Sequence, residues 1–148
     1  MQTAELEITG AAHGGDGVGR LDGLVCFVAG ALPGDTVRAR VVRRAKRALW
    51  ADLEDVVAPS PDRLAGRTPH SGADSWIHFR YPAQAQWKQR IVQETLRRVG
   101  GIDVELGCRE EPELLHGYRT RAEFHCDGHH FGFFARGIYC VVDTESCV

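Results

Sequence analysis

Paired cysteines are missing from this chain. Its five cysteines, at positions 26, 108, 126, 140 and 147, are an odd number, and none sits in a Cys-x2-Cys pair. That spacing argues against a disulfide framework and against a self-contained zinc site. It suits a reducing compartment, so the cytoplasm is the expected location. Long apolar runs are missing too: none approaches the roughly 20 residues that span a bilayer, and no membrane partner is expected. The first residues, Met1-Gln2-Thr3-Ala4-Glu5, carry no basic region and no apolar stretch, and do not read as a signal peptide. Strong net charge is also absent, at -2 over 148 residues. What remains, 43% hydrophobic and 26% charged, is the composition of a globular protein. The length suits one ordinary domain or two small ones, and a monomer is expected.

Against that balance stands one local run. Arg38, Arg40, Arg43, Arg44, Lys46 and Arg47 fall between positions 38 and 47 with no acid among them. The run starts on a strand-like alternation, Val37-Arg38-Ala39-Arg40-Val41, which sends the arginines to one face and the apolar residues to the other. A strand with a basic outer face points to an anionic partner, most simply a nucleic acid. The competing reading is a solvated edge strand whose cations block aggregation. The patch by itself does not separate the two.

Residues 1–58 read as all-β. Leu6 and Ile8 alternate with Glu5, Glu7 and Thr9, and a Gly-rich turn follows at Gly14-Gly15-Asp16-Gly17. Asp22-Gly23 lies between two apolar runs, which is the strongest short hairpin signal. Pro33-Gly34 marks the next turn. The basic strand follows, and then one from about Ala48 to Val57. Five short strands in this length suggest a closed barrel, because closure removes exposed edges. His13-Gly14-Gly15-Asp16-Gly17-Val18-Gly19 lacks the helix a phosphate-cradling loop needs after it. Its glycines are better read as supplying positive φ in a barrel turn.

Residues 59–81 are rich in Pro, Gly, Ser and Asp and read as a connecting segment. Pro82 suits the first turn of a helix. Trp87, Ile91, Val92, Thr95, Leu96 and Val99 then share one face, and Gly100-Gly101 ends it. From Gly117 the chain reads as β: a strand to Cys126, a turn at Asp127-Gly128, a strand Phe131 to Phe134, and a third from Ile138 to Asp143. The class is therefore mainly β with one long helix. The expected domains are a barrel over 1–58, a connector over 59–81, and a helix plus β-rich unit over 82–148 that reads as truncated.

Three further groups are weighed. His125, Cys126, His129 and His130 surround the Asp127-Gly128 turn, but His125 and Cys126 should point to opposite strand faces, so no metal site is expected. The plainer reading is an exposed hairpin tip with Cys126 as a small buried hydrophobe. Phe27 and Trp50 lie beside the basic run, as aromatics do where oligonucleotide-binding barrels stack bases. Phe27, inside an apolar run, is assigned to the core. Trp50 is open between core and surface. Arg119 and Arg121, at i and i+2 of a strand, would stand about 7 Å apart on one face. They suit either successive phosphates or pairing with Glu123 or Asp143.

Four segments, in order, resemble one family. The first is Gly17-Val18-Gly19-Arg20 with Val25-x-Phe27-Val28-x-Gly30-Ala31-Leu32-Pro33-Gly34-Asp35-x-Val37. It resembles the TRAM domain, an RNA-binding barrel of the oligonucleotide-binding type. Pro59-Ser60-Pro61-x-Arg63 resembles the exit from that domain, and Tyr81-x-x-Gln84-x-x-Trp87-Lys88 the start of the next helix. Gly117-Tyr118-Arg119-x-Arg121-Ala122-Glu123-Phe124 resembles a strand of the central domain. Together they look like the RNA uracil-5-methyltransferases, which act on tRNA or 23S rRNA with S-adenosylmethionine.

Many members of the family hold a four-iron cluster on four cysteines. Here Ser71-Gly72-Ala73-Asp74 stands where Cys-Gly-Gly-Cys would be, Ala65 stands at the preceding ligand position, and only Cys147 matches. No cluster is expected, because its ligands are thiolates. The family's cofactor-binding and catalytic domain has no counterpart in these residues. The resemblance therefore implies the RNA-binding N-terminal portion of such an enzyme, without catalytic residues or bound cofactor of its own. The alternative is a stand-alone RNA-binding module, and a barrel adaptor that binds protein is a third reading. The expected RNA-contacting residues are Arg20, Arg38, Arg40, Arg43, Arg44, Lys46, Arg47, Trp50, Arg119 and Arg121.

Overall fold

A computed structural model of the chain describes residues 2–67, 75–112, 120–135 and 139–143. Its first five strands are β1 (Thr3–Ala11), β2 (Gly17–Leu21), β3 (Leu24–Ala29), β4 (Thr36–Arg44) and β5 (Ala48–Ala58). They close into a barrel in the order β1-β2-β3-β5-β4. Every pairing is antiparallel except β3 with β5. Alternation decides what fills it. Leu6, Ile8, Cys26, Val28, Val37, Ala39, Leu49 and Ala51 point inward and are buried. Burial also raises the Cys26 thiol above its ordinary pKa.

On β2 the inward positions are Gly17 and Gly19. A Cβ on Gly17 would stand 2.7 Å from the carbonyl oxygen of Ala31, and one on Gly19 would stand 2.5 Å from that of Glu7. These two glycines let backbones approach closely and do not supply positive φ. Gly14 and Gly15 do so, at 95° and 90°. The expectation for the glycine run therefore holds for its first half and is corrected for its second.

One end of the barrel is tied to the segment that follows. The buried Asp35 carboxylate accepts hydrogen bonds from the Leu32 and Ser60 backbone N–H groups at 2.7 and 2.8 Å. It also accepts both Nε and a terminal nitrogen of Arg63, at 3.1 and 2.6 Å. Arg63 donates further to the Gly30 carbonyl at 2.9 Å. Phe79 bridges to Arg63 and packs with Leu32 and Ala83, with Trp76 and Trp87 against them. Trp76 Nε1 donates to the Gly15 carbonyl at 3.0 Å.

Helix α1 spans Tyr81–Gly100. Pro82 lies in its first turn, and Gly101, at φ 64°, closes it in the left-handed region. No side chain caps its start, but Arg97 and Arg98 in the last turn suit the negative end of the helix dipole. The predicted apolar stripe is only partly used. Ala83 and Ala85 are buried and Trp87 is half-buried, whereas Val92 and Val99 are exposed. Among the described residues no helix is long and apolar enough to cross a membrane.

The last strands are β6 (His125–Cys126), β7 (Phe131–Phe134) and β8 (Val141–Asp143), an antiparallel sheet in that order. The strand expected from Gly117 is shorter than the sequence suggests: residues 120–124 are not in a strand, and 113–119 lie outside the described residues. Among its described residues only His125 and Cys126 find partners, opposite Gly132 and Phe131.

Candidate nucleic-acid interface

The basic run sits on β4 and the turn into β5, and register divides it in two. Arg38 lies opposite Asp55 and Arg40 opposite Asp52. Arg38 reaches Asp55 at 3.7 Å, and Arg40 reaches Asp52 and Glu54, each at 3.2 Å. Exposed pairs like these contribute about 0–1 kcal/mol each, but they cancel local charge. This part of the patch behaves as the solvated-strand reading expects.

A β-bulge between Val41 and Arg43 then changes the pattern. Arg43 lies opposite Trp50, and its guanidinium sits 4.1 Å from the Trp50 ring centroid. The arrangement is a cation–π contact. Trp50 in turn stacks on Phe27, with centroids 5.7 Å apart and planes 27° apart. Arg44, Lys46 and Arg47 are exposed and make no ion pair among the described residues. The Ala45 N–H to the Ala48 carbonyl, at 2.8 Å, closes the turn that presents Lys46 and Arg47. Arg20 is exposed on β2 and donates to the Gly23 carbonyl at 3.3 Å.

Phe27 is the residue that sequence reasoning misplaced. Cys26 and Val28 point into the barrel, so Phe27 points out. An apolar run such as Leu24 to Val28 does not reveal which of its members face solvent. Its register against Trp50 on β5 does. Trp50 shares that outer face and is half-buried there.

Arg121 is exposed but not in a strand, so the strand spacing assumed for it does not apply. Arg119 lies outside the described residues, as do Ser71, Asp74 and Cys147. Ala65 is described, and a methyl group cannot ligate iron.

At the hairpin tip, Asp127 accepts the backbone N–H groups of His129 and His130 at 3.0 and 2.8 Å. Those bonds hold its carboxyl below the ordinary value. The His125 ring stacks on Phe134 at 4.0 Å. Cys126 is exposed, not buried as expected, because the short β6 leaves it at the sheet's rim.

Residues 1–53 match the family model of the TRAM domain. An uncharacterised RNA methyltransferase of Gloeobacter violaceus is 44% identical over 131 residues, covering 83% of this chain and 28% of the relative. The 23S rRNA (uracil(1939)-C(5))-methyltransferase RlmD of Halomonas elongata is 37% identical over 152 residues, covering 97% and 31%. The solved Pyrococcus abyssi tRNA (uracil-54, C5)-methyltransferase, in complex with S-adenosyl-L-homocysteine, shares the fold with a TM-score of 0.63 at 24% identity. That match covers 96% of this chain and 32% of the archaeal one. The chain thus spans about a third of the length of the proteins it matches. Its first 53 residues are a TRAM domain, on a chain related along most of its length to RNA methyltransferases that include uracil-C5 enzymes.

Proposed function

We propose that this chain is the RNA-gripping N-terminal portion of an S-adenosylmethionine-dependent RNA uracil-C5 methyltransferase acting on tRNA or rRNA. One observation carries the reading. On the barrel's outer face Arg43 lies over Trp50, and Arg44, Lys46 and Arg47 follow it, exposed, at the end of β4 and in the turn into β5, with no acidic partner among the described residues, while acids of β5 are drawn to Arg38 and Arg40. Cations left uncompensated at one end of such a barrel suit phosphates. The relatives' names supply the reaction class. The proposed domain division places the barrel at 1–58, a connector at 59–81, and the helix with the small sheet beyond.

The described elements do not fit the methyl donor. A closed barrel, one helix and a three-stranded antiparallel sheet contain no strand–Gly-loop–helix unit of the kind that holds such a cofactor. No step is derived through it. The role left to these residues is to hold folded RNA so that a uridine reaches an active site elsewhere.

Filter binding of RNA across salt concentrations tests this reading. Arg43→Ala with Arg44→Ala should weaken binding and flatten the salt slope by about two units, one per lost phosphate contact. Arg38→Ala with Arg40→Ala should change the slope much less, because those arginines already face acids. An unchanged slope in the first pair would remove the basis for the proposal.

A further inference from the structure

We propose that the outer face of the barrel carries a belt that binds an unpaired stretch of RNA through its bases. The inference rests on the RNA-binding reading above and goes beyond it in naming the form of the RNA. The belt is read from register. Val18 lies opposite Phe27, Phe27 opposite Trp50, and Trp50 opposite Arg43. Partners across a ladder share a face, so these four side chains form one row on the solvent side of β2, β3, β5 and β4.

The row continues beyond Val18. Its partner on β1 is Gly10, and the Trp87 ring of α1 lies 3.9 Å from where a Gly10 Cβ would be. The Arg90 guanidinium lies over Trp87, 4.9 Å from the ring centroid. The row therefore begins and ends on a tryptophan carrying an arginine. At about 4.8 Å per strand, five strands span roughly 19 Å. That length suits the short end of the range of about 4–16 nucleotides bound by barrels of this type.

The make-up of the row favours bases over a duplex backbone. The row is aromatic and apolar between its two cations, and none of its members is acidic. A duplex shields its base faces and offers phosphates and 2′-hydroxyls, which suit the two arginines but not the apolar side chains between them. An unpaired strand exposes those faces to rings and guanidinium planes.

The two arginines are also held differently from their neighbours. Arg38 and Arg40 use their donors on carboxylates. Arg43 and Arg90 lie on rings, and among the described residues neither makes an ion pair. A guanidinium held over a ring still has N–H donors to offer, so a phosphate or base edge can be bound without breaking the cation–π contact. Trp50 is then a positioning residue for Arg43 as well as a surface for a base.

The test compares fluorescence anisotropy of a short unpaired RNA and a fully paired duplex of the same sequence, using the whole 148-residue chain. Trp50→Leu keeps the apolar cover and removes the ring. It should weaken binding of the unpaired RNA about tenfold, within the range for loss of one stacked base. Duplex affinity and the salt slope should not change. Arg43→Lys, which keeps the charge and loses the plane, should also weaken unpaired binding at constant salt slope. Equal losses on both RNAs, or no loss on either, would overturn the belt while leaving RNA binding intact. Binding of neither RNA by the unaltered chain would overturn the RNA reading itself.

If Trp50→Leu melts early, photocross-linking of the unaltered chain to 4-thiouridine RNA replaces it. Cross-links to Phe27, Trp50 or Trp87 are expected, and cross-links confined to Lys46 and Arg47 would overturn the belt.

Discussion

Asp35 is fully buried, and its charge is retained only because every oxygen has a partner. Burial alone would raise its carboxyl, but Arg63 and the backbone N–H groups of Ser60 and Leu32 outweigh that and hold it below the ordinary value of 3.8. Removing one member of a buried pair typically costs about 3–5 kcal/mol. Arg63 keeps some access to water, at 14% against 0% for Asp35, so Asp35→Ala should fall toward the lower end of that range. The sign of the pH effect follows from the lowered value. The contribution is complete above the unfolded-state pKa and is lost as pH falls below 3.8 through the folded one. Thermal melts of the unaltered chain should therefore decline over that acid window, and those of Asp35→Asn should start lower and decline less. A parallel decline would show that Asp35 is not the group titrating. Asp35, Ser60 and Arg63 all belong to the segments that resemble the family, yet nothing in their spacing shows that they meet. Asp35 follows Pro33-Gly34 and reads as a turn residue. Its burial comes from the chain returning at Ser60 and Arg63, 25 and 28 residues later.

At the scale of elements, β2 shows how narrow the barrel is. Gly19→Ala would place a methyl group 2.5 Å from a backbone oxygen of β1 and 3.0 Å from Leu6 Cδ1. Backbone in a closed ladder cannot give way as a side-chain tip can, so denaturant titration should show a loss at or above the roughly 1–3 kcal/mol of ordinary overpacking. Gly107→Ala, with nothing within 4 Å, should change stability by no more than about 0.5 kcal/mol. The five barrel strands were legible because alternation and the Asp22-Gly23 turn are local signals. The division of the basic run was not, since it depends on which β5 residue faces which β4 residue. The bulge at Val41/Arg43 shifts that register by one and places Arg43 opposite Trp50 where an unbroken ladder would place it opposite the buried Leu49. Strand β6 failed for the opposite reason. The β-prone residues from Tyr118 onward satisfy the pattern, but among the described ones, 120–126, only His125 and Cys126 have a partner strand to pair with.

For the whole molecule, the question is what the chain does alone. Methyl transfer to the uracil 5-position needs a nucleophile, a base and a bound donor in register. Among the four described cysteines, Cys26 is buried with its thiol pushed toward the protonated form, so it is a poor nucleophile. Cys108, Cys126 and Cys140 are exposed. Exposure alone does not activate a thiol. No described group of three or more His, Cys, Asp or Glu residues could hold a metal ion. The chain also spans only about a third of its methyltransferase relatives. The 148-residue chain is therefore expected to bind RNA without binding S-adenosylmethionine and without methylating. Incubation with radiolabelled donor and unmodified tRNA or rRNA should leave the RNA at the level of a protein-free control. Equilibrium dialysis with the same donor should show no retention. Incorporation above the control would place an active site within these residues, and Cys108→Ser, Cys126→Ser and Cys140→Ser, made singly, would then identify the nucleophile by which one abolishes it.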